Sequence, residues 1–167
     1  MILVTVGSEI RPFTRLLAAM DEMAPRLGEP VIMQCGRQPY TGRNTHCLGY
    51  LTFGRMQRLV ARCRAIVGQG STGAVLMARR YGKPLVLVPR DPALGETFDD
   101  HQLQTAHAVK HRSRMMEVVY DIADLEAAVR RAQAKADAGL TYEPDPEREH
   151  LLAAIRAAVE GRELPDP

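Results

Sequence analysis

Residues 65–73 read AIVGQGSTG, a short apolar run that leads directly into a glycine-rich turn. A segment with helical character follows as far as Gly82, and a second apolar run, PLVLV, occupies residues 84–88. A turn of this kind exposes backbone N–H groups at the positive end of a helix, where phosphate groups bind. The stretch therefore predicts a parallel strand–helix–strand unit that carries an anion-binding turn.

The alternation of strand and helix continues on both sides of this unit. Apolar runs predict strands at residues 2–6, 31–35, 46–50, 65–67, 84–88 and 115–119. Besides the segment that ends at Gly82, helical spacing predicts helices at residues 12–26 (with Pro12 in the first turn), 54–63, 99/100–110, 124–138 and 146–160. The pattern predicts an α/β fold, with a Rossmann-like, mainly parallel sheet and helices on both faces. We expect a single domain over residues 1–160 and a frayed tail at residues 161–167.

Composition narrows the class of protein. The formal net charge of +2 over 167 residues gives no reason to expect a nucleic-acid partner. Three cysteines, Cys35, Cys47 and Cys63, lack the spacing of metal ligands and fit a reducing compartment. Met1 opens directly into a strand-like run, and no apolar run approaches the roughly 20 residues that cross a bilayer. We expect a soluble protein of the cytoplasm.

The glycine turn has more than one interpretation. Gly68, Gly70 and Gly73 fit the spacing G-x-G-x-x-G, and Asp91 follows the next strand, as in a dinucleotide-binding fingerprint. That fingerprint normally follows the first strand of its domain, however, whereas about 60 residues precede this one. A turn that serves packing alone is a further alternative. Polar loops at residues 7–8, 68–73 and 90–102 converge at the carboxyl edge of the sheet, which favours a phosphate ligand there.

Five short motifs follow one another in the order and spacing of a known family. They are VTVGS (residues 4–8), MQCG (33–36), QGSTGA (69–74), GKPLVLVPR (82–90) and DHQ (100–102). Over residues 1–119 the chain resembles the C-terminal, donor-binding domain of glycosyltransferase family 28, one half of a GT-B fold. It looks most like the stand-alone small subunits of split transferases, such as the cytosolic subunit of the eukaryotic lipid-linked UDP-GlcNAc transferase and PssE-like exopolysaccharide proteins.

The resemblance implies a set of donor-site residues. The loops at residues 7–8 and 70–73 would face the donor diphosphate, the pair at 101–102 would contact sugar hydroxyls, and Phe53 or Met56 would cover the uracil ring. Arg90 follows a strand end and can neutralise phosphate charge. The expected donor-site residues are Gly7, Ser8, Phe53, Gln69, Gly70, Ser71, Thr72, Gly73, Arg90, His101 and Gln102.

Two positions depart from the family pattern. Gln69 stands where relatives commonly have His, and Met77 stands where many have a Glu that binds the ribose hydroxyls. A methionine side chain cannot accept those hydrogen bonds in the way that a carboxylate does. Ribose recognition is therefore expected from elsewhere in the site.

Several of these residues also have purely structural interpretations. Ser71 and Thr72 can contact phosphate or simply cap the helix that follows them. Arg90 can equally be a surface residue, and His101, the one candidate for catalysis, can be a solvated residue at a helix start. His107 and His111 have the i, i+4 spacing of paired metal ligands but lack a third ligand, so we expect no metal.

A basic stripe lies on the helix predicted at residues 54–63. Arg55, Arg58 and Arg62 recur at i, i+3 and i+7. Such a stripe can face anionic lipid headgroups or an acidic partner, or it can be an ordinary solvated helix face.

The resemblance implies an activity. It is that of the donor-binding and catalytic subunit of a two-component inverting glycosyltransferase, which moves sugar from a UDP-sugar, of the UDP-GlcNAc or UDP-glucuronate type, to a lipid-linked saccharide. No cofactor would be needed, and the general base is not evident in the chain. A membrane-anchored subunit would bind the acceptor and hold this chain at the inner face of the membrane, in exopolysaccharide or glycolipid biosynthesis. The alternative is a non-catalytic module that binds nucleotide sugars or acts as a scaffold.

Overall fold

The sheet is parallel throughout, as the alternating sequence pattern predicts. The computed structural model describes residues 1–144 and 160. Its strands are β1 (Ile2–Thr5), β2 (Val31–Gln34), β3 (His46–Leu48), β4 (Ala65–Gln69), β5 (Leu85–Val88) and β6 (Met116–Val118). They lie in the order β3-β2-β1-β4-β5-β6, the order of doubly wound nucleotide-binding sheets. The predicted Rossmann-like architecture is confirmed.

Helices cover both faces of this sheet. They are α1 (Thr14–Met23), α2 (Phe53–Arg62), α3 (Thr72–Tyr81), α4 (His101–Val109) and α5 (Leu125–Asp137). Alternate strand residues point to opposite faces: Val4 packs in the cluster that holds the buried residues of α1 and α5, whereas Leu3 packs with Val60 of α2 and Ala78 of α3. Burial on both faces explains why the strands are almost uniformly apolar.

The centre of the sheet is also the point where its winding reverses. In β1, Ile2 lies opposite Val31 of β2 on one side and Ala65 of β4 on the other. After β1 the chain adds β2 and β3 on one side of β1. It then returns and adds β4, β5 and β6 on the other side. A crevice outside the carboxyl ends of β1 and β4 is the expected ligand position in such a sheet.

Some predicted boundaries are wrong. The first helix begins at Thr14 after the buried Phe13, so Pro12 precedes it, and beyond Met23 it tightens into a 3₁₀ turn (Ala24–Arg26). β4 extends through Gln69, so Gly68 belongs to the strand and not to the turn. Apart from residue 160, the helix predicted at 146–160 and the tail at 161–167 lie outside the described residues.

The length and polarity of a helix decide whether it can span a membrane. Among the helices that the structure describes, none has both the length and the apolar character needed to span a bilayer.

Candidate functional site

A pocket of about 370 Å³ opens at the carboxyl ends of β1 and β4. It thus lies at the reversal point of the sheet, where the sequence places the converging loops. Of the predicted donor-site residues it brings together Gly7, Ser8, Phe53, Gln69, Ser71 and Gly73, and it adds Thr5, Met56, Val60, Ile66, Ala74 and Met77.

Gly7 and Gln69 form the polar end of the pocket. Gly7 has a φ of 71°, and a Cβ atom there would lie 2.1 Å from Nε2 of Gln69. Only glycine satisfies both the backbone conformation and the close approach. The Gly7 carbonyl accepts a hydrogen bond of 3.1 Å from Nε2 of Gln34, whose Oε1 in turn accepts one from the Thr5 hydroxyl. The loop after β1 is therefore held rigidly against the Gln69 side chain.

Arg90 lies behind this end of the pocket and does not line it. The side chain is 0% exposed. Its Nε donates to Oε1 of Gln69 at 2.8 Å, and its Nη atoms donate to the carbonyl oxygens of Val6, Arg11 and Glu96 at 3.2, 2.9 and 2.9 Å. Both sequence interpretations of Arg90, as a phosphate contact and as a surface residue, are therefore wrong.

The Arg90 contact has a consequence for Gln69. Because Oε1 of Gln69 accepts from the guanidinium, the amide group of Gln69 is fixed with Nε2 on the Gly7 side of the pocket. Burial lowers the pKa of Arg90, opposed by Glu9 and Glu96, and an arginine remains cationic in proteins. The buried cation thus polarises the Gln69 amide as well as orienting it.

The N-terminus of α3 supplies further donors. Ser71 is the N-cap: its Oγ accepts from the Ala74 amide at 3.4 Å, and its own amide donates to the Gln69 carbonyl at 2.7 Å. The capping role of Ser71 is confirmed, and its contact with phosphate stays a prediction. Within residues 1–144 and 160, the first-turn amides of Thr72 and Gly73 donate no hydrogen bond. These amides lie at the positive end of the helix.

Gly70 and Gln102 pack against each other next to the site, without lining the pocket. A Cβ atom on Gly70 would lie 2.7 Å from the Gln102 carbonyl oxygen and 3.2 Å from Cβ of Pro89, so the glycine is required by packing. Oε1 of Gln102 accepts from the Arg90 amide at 3.2 Å. His101 is exposed at the first residue of α4, and its amide donates to Oδ1 of Asp99. Neither His101 nor Gln102 lines the pocket, and neither do Gly70 and Thr72.

The opposite side of the pocket is an apolar wall, formed by Met56 and Val60 of α2, Ile66 of β4, and Ala74 and Met77 of α3. Phe53, 67% exposed, stands at its mouth. Of these five residues, Met56 and Met77 are predicted from the sequence and the other three are not. Their helical spacing, i, i+4 in α2 and i, i+3 in α3, is the signal that could have found Val60 and Ala74.

The dinucleotide interpretation of the glycines is not supported by their placement. Gly68 is inside β4, where it lies opposite both Thr5 and Leu87, so the three glycines do not share one turn. The Asp91 carboxylate accepts from the Ala93 amide at 2.8 Å and caps a 3₁₀ turn (Pro92–Leu94).

Glu96 fixes the loop after β5, a role that no pattern in the sequence predicts. Its carboxylate, 8% exposed, pairs with Arg15 at 2.9 Å and accepts from the Asp91 amide at 3.0 Å. Together with the Arg90 contacts, this pair fixes the loop beside the pocket.

A parallel sheet of this strand order, with a pocket at its reversal point, defines the doubly wound nucleotide-binding class of α/β proteins. Within that class, residues 1–155 match the sequence model of the glycosyltransferase family 28 C-terminal domain, and the chain belongs to that family. No curated protein sequence matches the chain significantly.

Solved structures share the fold. The calicheamicin glycosyltransferase CalG4 matches with a TM-score of 0.62 at 24% identity, over 81% of this chain and 35% of that one. The spinosyn forosaminyltransferase SpnP matches with a TM-score of 0.60 at 19% identity, over 80% and 35%. The solution structure of ALG13 matches with a TM-score of 0.56 at 18% identity, over 90% and 94%. The chain thus spans about a third of the length of the first two, and its fold is that of one half of a GT-B glycosyltransferase.

Proposed function

We propose that this protein is the donor-binding and catalytic subunit of a two-component inverting glycosyltransferase. Its substrate is a UDP-sugar, of the UDP-GlcNAc or UDP-glucuronate type, and its acceptor is a lipid-linked saccharide. One observation carries the proposal: in a member of family 28, the reversal-point pocket joins the start of α3, where the Gly73 amide donates no hydrogen bond to any described residue, to an apolar wall.

The pocket suggests how the donor is held. The diphosphate lies against the Gly73 amide and the Nε2 group of Gln69, and the uracil ring lies along the apolar wall under Phe53. Gly7 and Ser8 line the pocket from the loop after β1, with Gly7 next to the Gln69 side chain. His101 and Gln102 would reach the sugar only if the loop before α4 moved toward the pocket.

The proposed reaction needs no metal. An acceptor hydroxyl attacks the anomeric carbon, the bond from that carbon to the UDP oxygen breaks, and the electron pair leaves with UDP. Fixed N–H donors at the start of α3 stabilise the negative charge that develops on UDP. The proton of the hydroxyl passes to a general base. Among the described residues that line the pocket, none has a carboxylate or imidazole group, and we assign the base to the partner subunit.

The similarity to ALG13, of which the chain covers 94%, supports the two-chain arrangement that the resemblance to split transferases implies. In our proposal a membrane-anchored subunit supplies the acceptor half and brings this chain to the inner face of the membrane. The pathway would be exopolysaccharide or glycolipid biosynthesis.

A second candidate is a nucleotide-sugar-binding module without catalytic activity. It is favoured by Met77, which occupies the pocket wall where a ribose-binding carboxylate is expected, and by Gln69 in place of His. Co-expression with the partner separates the two candidates. A transferase moves labelled sugar from a UDP-sugar to a lipid-linked saccharide, whereas a binding module does not.

Calorimetric titration with UDP, UDP-GlcNAc, UDP-glucuronate and NAD tests the site. We expect the three uridine compounds to bind and NAD not to bind. Gly73→Ala adds one methyl group at the phosphate position without a clash inside the fold, because its nearest atom, Oγ of Ser71, is 4.0 Å away. The matched control is Gly54→Ala, a first-turn glycine of α2 outside the pocket.

The two variants give a sharp comparison. The added methyl group displaces the phosphate, so that one hydrogen bond to a charged group is lost, at a cost of about 1.5–3 kcal/mol. We therefore expect Gly73→Ala to weaken UDP binding by roughly tenfold or more. Gly54→Ala should bind as the wild type does. NAD binding, or equal UDP affinity in both variants, would contradict the proposed site.

A further inference from the structure

Charge is distributed very unevenly along this chain. Residues 30–90 contain ten of the 22 Lys and Arg residues and none of the 20 Asp and Glu residues. That stretch carries a formal charge of +10, whereas the rest of the chain carries −8. The small net charge therefore conceals a strong separation of charge, which is typical of proteins that bind an anionic surface.

The fold gathers part of this charge on one face. α2 and α3 lie side by side on one side of the sheet, and α1 and α5 cover the other side. The outer surface of α2 and α3 exposes Arg55, Arg58, Arg62 and Arg80, which we call the basic face.

The arginines of the basic face differ from those of the opposite layer in their contacts with acidic residues. Within the part of the chain that the structure describes, none of the four forms an ion pair, and Arg80 packs only near the ring of Tyr81. Arginines of the opposite layer behave differently: Arg26 and Arg130 both pair with Glu126. Among the described residues, the basic face is thus a surface of positive charge without paired carboxylates.

Apolar side chains accompany these cations. Phe53 at the start of α2 is 67% exposed, Leu76 of α3 is 58% exposed, and Tyr50 just before α2 is 65% exposed. Aromatic and aliphatic groups beside arginines match the boundary of a bilayer, where the rings and Leu enter the headgroup region and the guanidinium groups meet phosphate. The backbone of a nucleic acid duplex offers no apolar surface to Leu76, which favours lipid as the occupant.

We propose that the basic face binds directly to the surface of an anionic phospholipid bilayer. The chain would then contact the membrane itself, in addition to any contact through a partner. Phe53 belongs both to this surface and to the pocket mouth, so the bound protein presents its pocket at the level of the headgroups. This inference stands apart from the proposed activity, because lipid binding requires neither donor nor acceptor.

Co-sedimentation with vesicles tests the inference on the purified full chain. The probes are vesicles of phosphatidylcholine alone and of phosphatidylcholine with phosphatidylglycerol, at low salt and at about 0.15 M salt. We expect binding to the anionic vesicles only, weakened by salt. Each arginine near such a surface contributes roughly a fivefold factor in affinity, so R55Q/R58Q/R62Q should bind about a hundredfold more weakly.

The control variant is R26Q/R130Q/R131Q, which removes the same charge from exposed positions of the opposite layer. Circular dichroism verifies that both variants are folded, and we expect the control to bind vesicles as the wild type does. Equal binding by the α2 variant and the wild type, or an equal loss in the control, would overturn the proposal. Tighter binding to an RNA duplex than to anionic vesicles would overturn it in favour of nucleic acid.

Discussion

Replacing Arg90 by Met tests whether the buried guanidinium organises the polar end of the pocket. Arg90 connects β5 to four other parts of the chain through the side chain of Gln69 and the carbonyl oxygens of Val6, Arg11 and Glu96. Its Cζ also lies 4.5 Å from the centre of the Phe13 ring. Met fills a similar length with apolar atoms and donates to none of these acceptors, which stay buried and unpaired.

The expected cost is large. Leaving one buried acceptor unpaired costs about 1–3 kcal/mol, and Arg90→Met leaves several unpaired. For a chain of this length, each kcal/mol lowers Tm by about 2–4 °C, so we expect Arg90→Met to melt roughly 10 °C or more below the wild type. Arg90→Lys keeps the charge but loses the planar fork that reaches several acceptors, so an intermediate loss is expected.

Thermal unfolding followed by circular dichroism and calorimetry measures this effect. Arg37→Met is the control, because Arg37 is exposed and surface substitutions change stability by only about 0.5 kcal/mol. UDP titration of Arg90→Lys adds an independent measurement. If Arg90 orients Gln69, affinity falls even where the protein remains folded. An Arg90→Met variant that melts with the wild type would refute the assignment of Arg90 as a structural centre.

Three other predictions concern single positions. Gly70→Ala places a Cβ 2.7 Å from the Gln102 carbonyl oxygen, so we expect a Tm several degrees lower, by calorimetry, than for an alanine at an uncrowded glycine. At Asp21, burial alone would raise the pKa, but hydrogen bonds from the Thr45 hydroxyl and two loop amides lower it overall. This stability is therefore present above about pH 4 and is lost on further acidification, and Asp21→Asn should flatten the acid limb of a Tm-against-pH curve. Cys47, half-exposed, should react first with a thiol reagent counted by mass spectrometry, since burial raises the pKa of the other two cysteines to about 11 and about 12.

The sheet and the position of the pocket could be predicted because both depend on local patterns. Apolar runs such as residues 84–88 are buried on both faces in the structure, and the turn at residues 69–73 does meet the loop at 7–8. The role of Arg90 could not be predicted, because its acceptors come from distant parts of the chain. The basic stripe of α2 is visible in the sequence, but its continuation onto α3 requires knowing that both helices lie on the same side of the sheet.

The position of β1 between β2 and β4 has a consequence for folding during translation. β1 leaves the ribosome before both of its neighbours, and one of them begins only at Ala65, opposite Ile2. During that interval one edge of the Ile-Leu-Val strand is unpaired, and late pairing of distant parallel strands is slow and prone to aggregation. The speed at which residues 35–69 are translated therefore sets how long this edge of β1 stays unpaired.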